Sequence, residues 1–448
     1  MKTSLLKQVR RMETLGRAWR VICENGRASQ SSDTRREIEE FAATAEARLT
    51  KIRGQLDRGT FTFKPARGFP ISKEGKKAIR PLVIAPVESR VVQRAIHDVL
   101  LTVPAICKYA ENPYSFGGVK KAKGKSVAAV PAAIEAVLTA IGTGANYVIR
   151  SDISSFFTKI PKPVVTAIVA DATQEPEFIE LFTQAITVEL ENLASLREHA
   201  AAFPIYEIGV AQGSSLSPLL GNLLLFEFDQ QMNVDDCRCI RYVDDFIILA
   251  PGRKVAERHF FKALKLLEKK GLETSQGKTF RGDIARGFEF LGIELGNGLI
   301  RPSKASRKRL IENVSRKFGA SARAFRARGG ADAIARSLSL IPTLYEVRGI
   351  VQGWGKSYFF CNEKNLFAQL DGELDTLLRK YLGAYKAAMN TAKQKGRRRL
   401  LGIPLLEELA SRPFVWPKPS LTSSNVPPRP AAPAGFAEFS RITTSITP

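Results

Sequence analysis

Apolar and polar positions divide the chain into a helical lead-in, a mixed middle and a helical end. Residues 1–58 are rich in charge with apolar positions at helical spacing, most clearly in "TRREIEEFAATAEARLTKIRGQL". "GTFTFKPARGFPISKEGKKAIRPLVIAP" then brings alternation, glycine and proline, which predicts strands and turns. "NYVIRSDISSFF" (146–157) predicts a strand ending at Asp152, and the stretch 161–200 reads as helical up to "AAFPIYEIG". "SPLLGNLLLFEFDQQM" predicts an apolar helix, and "CRCIRYVDDFIILAPG" two short strands joined at an acidic pair. In "KVAERHFFKALKLLEKKG", Phe260, Leu264 and Leu267 recur at i, i+4 and i+7 before Gly271 supplies the stop. Strands alternating with helices predict a layered α/β or α+β core.

Beyond residue 300 the pattern is helical and basic. "RPSKASRKRLIENVSRKFGASARAFRARGG" carries ten basic residues against one acid, Glu312, while Ile311, Val314 and Phe318 keep an apolar stripe. This predicts one helix face for packing and another for phosphates, because ordinary solvated faces mix signs more evenly. Helical patterning runs to about residue 410, and the tail from Pro413 is rich in proline, serine and alanine. The expected organisation is a helical extension (1–58), a catalytic middle (59–302), a basic helical unit (303–410) and a Pro-rich tail (411–448).

Composition sharpens this picture. Of 448 residues, 68 are Lys or Arg and 44 Asp or Glu, a net charge of +24 spread along most of the chain. A polyanion, most simply nucleic acid, is the expected partner. No run approaches the roughly 18 apolar residues needed to span a bilayer, and the first residues lack the apolar core of a signal peptide. A cytoplasmic protein without membrane partners is therefore expected. Five cysteines with one close pair, and three histidines, argue against a zinc module or disulfide framework.

The acidic pair Asp244–Asp245 needs an explanation, since two carboxylates in an apolar hairpin repel each other and resist desolvation. Divalent cations are the usual remedy. Asp152, at the end of a preceding strand, is the natural third member, and oxygen donors without a His/Cys cluster suit Mg²⁺, with Mn²⁺ as substitute. Two such ions about 4 Å apart serve nucleotidyl transfer.

The residues carry a resemblance at this point. "IRPLVIAPVESRVVQRAIHDVL", "NPYSFGGVKKAKGKS", "YVIRSDISSFFTKIP", "GVAQGSSLSPLLGNLLLFEFD", "IRYVDDFIIL", "LETSQGKTFRGD" and "FEFLGIEL" follow one another in the order of the blocks of prokaryotic reverse transcriptases. The chain resembles the retron, group II intron and abortive-infection or defence-associated enzymes over about 59–300, with a thumb-like likeness to about 385. The resemblance implies a right-hand polymerase of the α+β class, with fingers, a palm of antiparallel sheet and helices, and a helical thumb.

It also implies roles. Asp152, Asp244 and Asp245 match the catalytic carboxylates, and the metal-holding set becomes Asp152, Ile153, Asp244 and Asp245, with Asp152 and Asp244 the stronger direct ligands. Phe157 matches the steric gate that excludes a 2′-hydroxyl; its competing reading is a core aromatic, because Phe156 is adjacent. Gln212 and Gly213 match residues lining the nucleotide, and Arg80 the finger arginine whose planar fork clamps the triphosphate. Lys73, Lys76 and Lys77 compete to assist it. Lys278 fits a lysine near the nucleotide phosphates. Arg307, Lys308, Arg316, Lys317 and Arg323 are the expected grip on nucleic acid. Trp354 is expected to pack between thumb helices, and "GRRRL" (396–400) reads equally as an RNA contact or a solvated run.

The implied activity is RNA-directed DNA synthesis from dNTPs on a primer 3′-hydroxyl. The implied partners are an RNA template, expected to be structured, its DNA product, and a protein partner or second copy. With only three histidines and no cysteine cluster after Cys361 to serve a nuclease of the HNH type, the likeness leans toward a retron-like or antiphage setting. Three rivals are a non-catalytic RNA-binding or maturase-like protein, an RNA polymerase, against which Phe157 argues, and an enzyme making untemplated or protein-primed DNA.

Overall fold

The structure, a computed structural model, describes residues 4–29, 31–72, 79–118, 129–275, 277–327, 330–409 and 416. The finger lysines Lys73, Lys76 and Lys77 and nearly all of the Pro-rich tail lie outside the described residues. Four helices open the chain: α1 (Leu5–Val9), α2 (Met12–Arg27), α3 (Ser32–Ala42) and α4 (Ala45–Asp57). Ser31 caps α3 by accepting from the Thr34 N–H at 3.2 Å. The apolar residues of these helices, among them Leu15, Ile38, Phe41 and Ile52, bury into the same core as α5 (Val87–Leu100). Between α4 and α5, β1 (Arg67–Ser72) and β2 (Ile79–Ile84) pair antiparallel.

A four-stranded antiparallel sheet forms the centre. Its strands are β3 (Tyr147–Asp152), β4 (Arg238–Tyr242), β5 (Asp245–Ala250) and β6 (Phe280–Asp283), in the order β4-β5-β3-β6. Helices α6 (Pro104–Ala110), α7 (Ala129–Gly142), α8 (Lys162–Thr173), α9 (Pro176–Ile186), α10 (Ser217–Met232) and α11 (Arg253–Glu268) surround it. Ile149, Phe246 and Ile248 face one hydrophobic cluster with α10 and α11. Val148, Ile247 and Leu249 face another with α7. Burial on both faces explains why "FIILA" is uniformly apolar rather than alternating.

A three-stranded sheet, β7 (Phe288–Phe290), β8 (Ile293–Gly296) and β9 (Leu299–Pro302), leads into α12 (Lys304–Arg326). Then come α13 (Gly330–Ala333), α14 (Leu340–Ser357), α15 (Lys364–Thr391) and α16 (Gln394–Leu401), which share a third core. Trp354 packs there against Tyr358 and Phe367, and its indole N–H donates to Ser306 at 3.2 Å. The arginines of "GRRRL" are engaged internally: Arg397 donates to the Ala392 carbonyl, Arg398 to that of Pro404, and Arg399 to that of Asp332 and to Glu408.

Two expectations need correction. The helical stretch 161–200 is broken: Gln174 is left-handed at φ 53°, Pro176 starts α9, and residues 193–202 form a 3₁₀ segment kinked at Arg197. Proline restricts the residue before it and begins helices rather than continuing them. The buried stripe of α12 is Leu310, Val314, Phe318 and Phe325, whereas Ile311, one position around the helix, is only half-buried. Among the described residues, no helix is long and apolar enough to cross a membrane.

Candidate active site

The β3–β5 register pairs Asp152 with Asp245 at the end of both strands. On the other side of β5, Tyr242 pairs with Asp245, leaving Val243 and Asp244 as the two loop residues of the β4–β5 hairpin. Such loops favour positive φ, and Val243 adopts φ 60°, a costly conformation for a β-branched residue. The Ile153 N–H donates to the Asp244 carbonyl at 2.9 Å, so the turn is tied back to the strand that carries Asp152. The sequence-predicted triad thus converges from two strands and one turn.

Its electrostatics are uneven. Asp152 accepts from the Ser275 hydroxyl at 2.9 Å and forms an ion pair with Lys278. Lys278 therefore stands on the triad itself. Burial, then the charges of Asp244 and Asp152, push the Asp245 carboxyl up to about 6. Burial chiefly, with Asp152 adding to it, raises Asp244, while Lys278 and Arg80 pull the other way. Arg80 on β2 is thereby electrostatically coupled to the triad. Among the described residues no three His, Cys, Asp or Glu side chains are grouped as for a metal ion, and the Asp152 carboxylate is engaged by Lys278 and Ser275. The donor chemistry nevertheless fits a hard divalent cation: three carboxylates, two of them held above their usual range by repulsion and burial. Ile153, whose side chain is buried, offers only backbone oxygen.

Of the two adjacent aromatics, Phe156 is the core residue, so close to α10 that a Cβ on Gly221 would lie 2.8 Å from its ring. Phe157 is half-buried, and its carbonyl accepts from the Val210 N–H at 2.8 Å. The loop beyond Val210 carries Gln212 and Gly213 and leans on β2: the Val83 N–H donates to the Gln212 carbonyl at 2.9 Å. Gly213 has φ 124°, and a Cβ there would meet the Val83 carbonyl oxygen at 2.6 Å. Only glycine fits both demands.

Sequence reasoning missed the support beneath the turn. Arg241, fully buried, donates from Nε to Asp229 Oδ1 at 2.7 Å and from Nη2 to Oδ2 at 2.5 Å. Its Nη1 donates to the Val243 carbonyl at 2.9 Å and to Asn222 Oδ1 at 3.2 Å. Asn112 donates to Asp229, and Ser115 to Asn222. The sequence sets both charges in apolar runs, "CIRY" and "LLLFEFD", but nothing in their spacing pairs them.

Residues 71–295, half of the chain, match the family described as reverse transcriptase (RNA-dependent DNA polymerase). The chain belongs to the reverse transcriptase family. Its fold is accordingly the right-hand polymerase, an α+β arrangement built on antiparallel sheet. Among curated proteins it is similar to Protein YkfC of Escherichia coli K12, 29% identical over 186 residues that are 41% of this chain and 45% of that protein. It is 30% identical over 183 residues to an uncharacterized 91 kDa protein in a cob intron of Schizosaccharomyces pombe, covering 41% of this chain and 20% of that one. The chain thus spans less than half the length of either relative. Among solved structures, a partial Cas6-RT-Cas1–Cas2 complex is similar at 20% identity and TM-score 0.34, over 59% of this chain and 42% of that one. Apo telomerase from Candida tropicalis, truncated from its C-terminal domain, is similar at 14% and 0.39, over 54% and 55%.

The five thumb residues expected to grip nucleic acid are not equivalent. Lys308, Arg316, Lys317 and Arg323 are exposed on α12, where Lys308 pairs with Glu312 and Lys317 with Glu346, while Arg316 donates to Asn313. Arg307 is half-buried and lies 3.6 Å from Glu294, a carboxylate it shares with Arg301. That ion pair ties α12 to β8.

Proposed function

We propose that the protein is an RNA-directed DNA polymerase that joins dNTPs to a primer 3′-hydroxyl. The observation that carries this reading is the register pairing Asp152 with Asp245, next to a turn that presents Asp244. Asp152, Asp244 and Asp245, with the Ile153 carbonyl, would hold Mg²⁺ or Mn²⁺. Bound there, two divalent ions would favour the ionised form of the attacking hydroxyl and offset charge on the leaving pyrophosphate.

The chain's own groups supply the rest. Arg80 and Lys278 bring positive charge to the carboxylate cluster and would orient the triphosphate. Lys278, paired with Asp152 in this structure, would turn to phosphate oxygens when divalent ions are bound. Phe157, half-buried beside the Gln212–Gly213 loop, would lie beneath the sugar and exclude a 2′-hydroxyl. Lys308, Arg316, Lys317 and Arg323 on the thumb would hold the template–primer duplex through its backbone. The proposed template is a structured RNA, consistent with the charge of +24. The proposed setting is retron-like or defence-associated. Likeness to a protein in an intron favours, as a second reading, an RNA of intron type.

The test is polymerisation by the purified protein with its co-purifying nucleic acid retained, given labelled dNTPs or NTPs and Mg²⁺, with Asp244→Ala alongside. Incorporation of dNTPs by the parent alone supports the reading, and the product's sequence identifies template and primer. Retention of RNA without incorporation of either set supports a binding protein instead.

A further inference from the structure

We infer that the buried Arg241–Asp229 pair positions the acidic turn: by clamping the Val243 carbonyl it holds that residue in its left-handed conformation and so sets the direction of Asp244 and Asp245. This deepens the polymerase reading and rests on it for its catalytic consequence. The geometry is closed on every side. Asp229 and Arg241 are 1% and 0% exposed, and the guanidinium spends Nε and Nη2 on the two carboxylate oxygens. That leaves Nη1 for the turn, which it reaches at the Val243 carbonyl, 2.9 Å away. A lysine could not meet Asp229 in two places and the turn in a third.

The turn needs such a clamp. A valine at φ 60° relaxes unless its surroundings over-determine it. A second constraint comes from the segment before α7. The segment 112–118 runs beside β4, where Arg241 donates its backbone N–H to the Tyr114 carbonyl at 2.8 Å and accepts from the Phe116 N–H at 2.9 Å. This brings Gly117 against the turn, where a Cβ would stand 2.7 Å from the Val243 nitrogen. Asn112 and Ser115 from the same segment complete the hydrogen bonds of Asp229 and Asn222. Three parts of the chain thus converge on Arg241, which is fully buried. Arg241 is a positioning residue.

The pair also explains why charge is tolerated so deep. Burial pushes the Asp229 carboxyl up, against the pull of Arg241 and Asn112. Replacing a buried pair by apolar residues of like volume is often neutral or stabilising, whereas removing one partner is costly. Stability alone therefore does not require this pair.

The experiment uses the double variant Arg241→Met with Asp229→Leu in the full chain, measuring thermal melting, Mn²⁺ affinity by electron paramagnetic resonance, and polymerisation with kcat and KM separated. The expected result is melting close to the parent, Mn²⁺ affinity weakened about tenfold, and kcat lowered about 100-fold with KM for dNTP little changed. A folded double variant with parental kcat and Mn²⁺ affinity overturns the inference. If the double variant does not fold, Gly117→Ala leaves the ion pair intact and sets a methyl group against Val243, which must shift to admit it. It is expected to weaken Mn²⁺ binding and kcat alike, and parental values overturn the inference. A parent that binds Mn²⁺ but makes no DNA defeats the polymerase reading, and the Mn²⁺ titrations still decide whether Arg241 positions the turn.

Discussion

Asp152 and Asp245 are register partners at the end of β3 and β5, so the spacing of the acidic cluster is a property of strand pairing rather than of loops. A one-residue slip of β5 would turn Asp245 to the other face of the sheet. Burial of both sheet faces forbids that slip, because it would exchange two sets of apolar side chains between two different cores.

Asp245 gives the metal-free protein a pH signature. Its folded carboxyl, near 6, holds a proton more tightly than the unfolded chain does near 4, so its contribution to stability is fully present below about 4. That contribution is lost as pH rises through 6. In EDTA, melting of the parent should therefore fall between pH 4.5 and 7 relative to Asp245→Asn, by on the order of 3 kcal/mol at most. Adding Mg²⁺ at pH 7 should recover the difference in the parent only. A pH-independent difference between the two proteins would refute the assignment.

Phe157→Val should relax sugar selection. Phe156 fills the core and Phe157 is only half-buried against it, so shortening Phe157 is expected to keep the fold while opening the space where the sugar is proposed to lie. Discrimination between dNTP and NTP, measured as the ratio of kcat/KM, should fall by about 10- to 100-fold. An unchanged ratio would return Phe157 to the core.

Gly213→Ala should cost about 1–3 kcal/mol, since the new methyl meets the Val83 carbonyl oxygen in a backbone region disfavoured for alanine. Denaturant titration reads the loss. Nucleotide KM should rise with it, because the Gln212 carbonyl shares this contact with β2.

On α12, Arg323→Ala and Arg316→Ala should each reduce the slope of log K against log salt for template–primer binding by about 1, uniformly across sequences. Arg307→Ala should behave differently. Its bond is to Glu294, so melting should fall while the salt slope stays nearly constant.

Much of this was readable from residue order alone. Apolar β-branched runs announced β3, β4 and β5, and the acidic pair marked their junction because charges there had no structural purpose. The broken helix at 174–176 was also announced, by Pro176, but helical spacing on either side masked it. The partnership of Arg241 with Asp229 was not legible, because it joins a strand to the helix before it through a fold that must exist first. The seat of Lys278 on Asp152 was hidden for the same reason: the segment 273–275 comes beside β3 only through backbone bonds, Ser275 N–H to Asp152 O and Ser154 N–H to Glu273 O, each 2.8 Å.

The helices that open the chain have a consequence of a different kind. The family match begins at residue 71, yet the core it draws on begins at Val9, and the first helix is latched by Glu175, whose carboxylate accepts from the Ser4 hydroxyl and the Leu5 and Leu6 N–H groups. What is inherited as a recognisable unit is therefore smaller than what folds as one. A fragment cut at the inherited boundary would lose the covering of Val91, Ile96 and Leu100, and would meet its substrate as a different, stickier object.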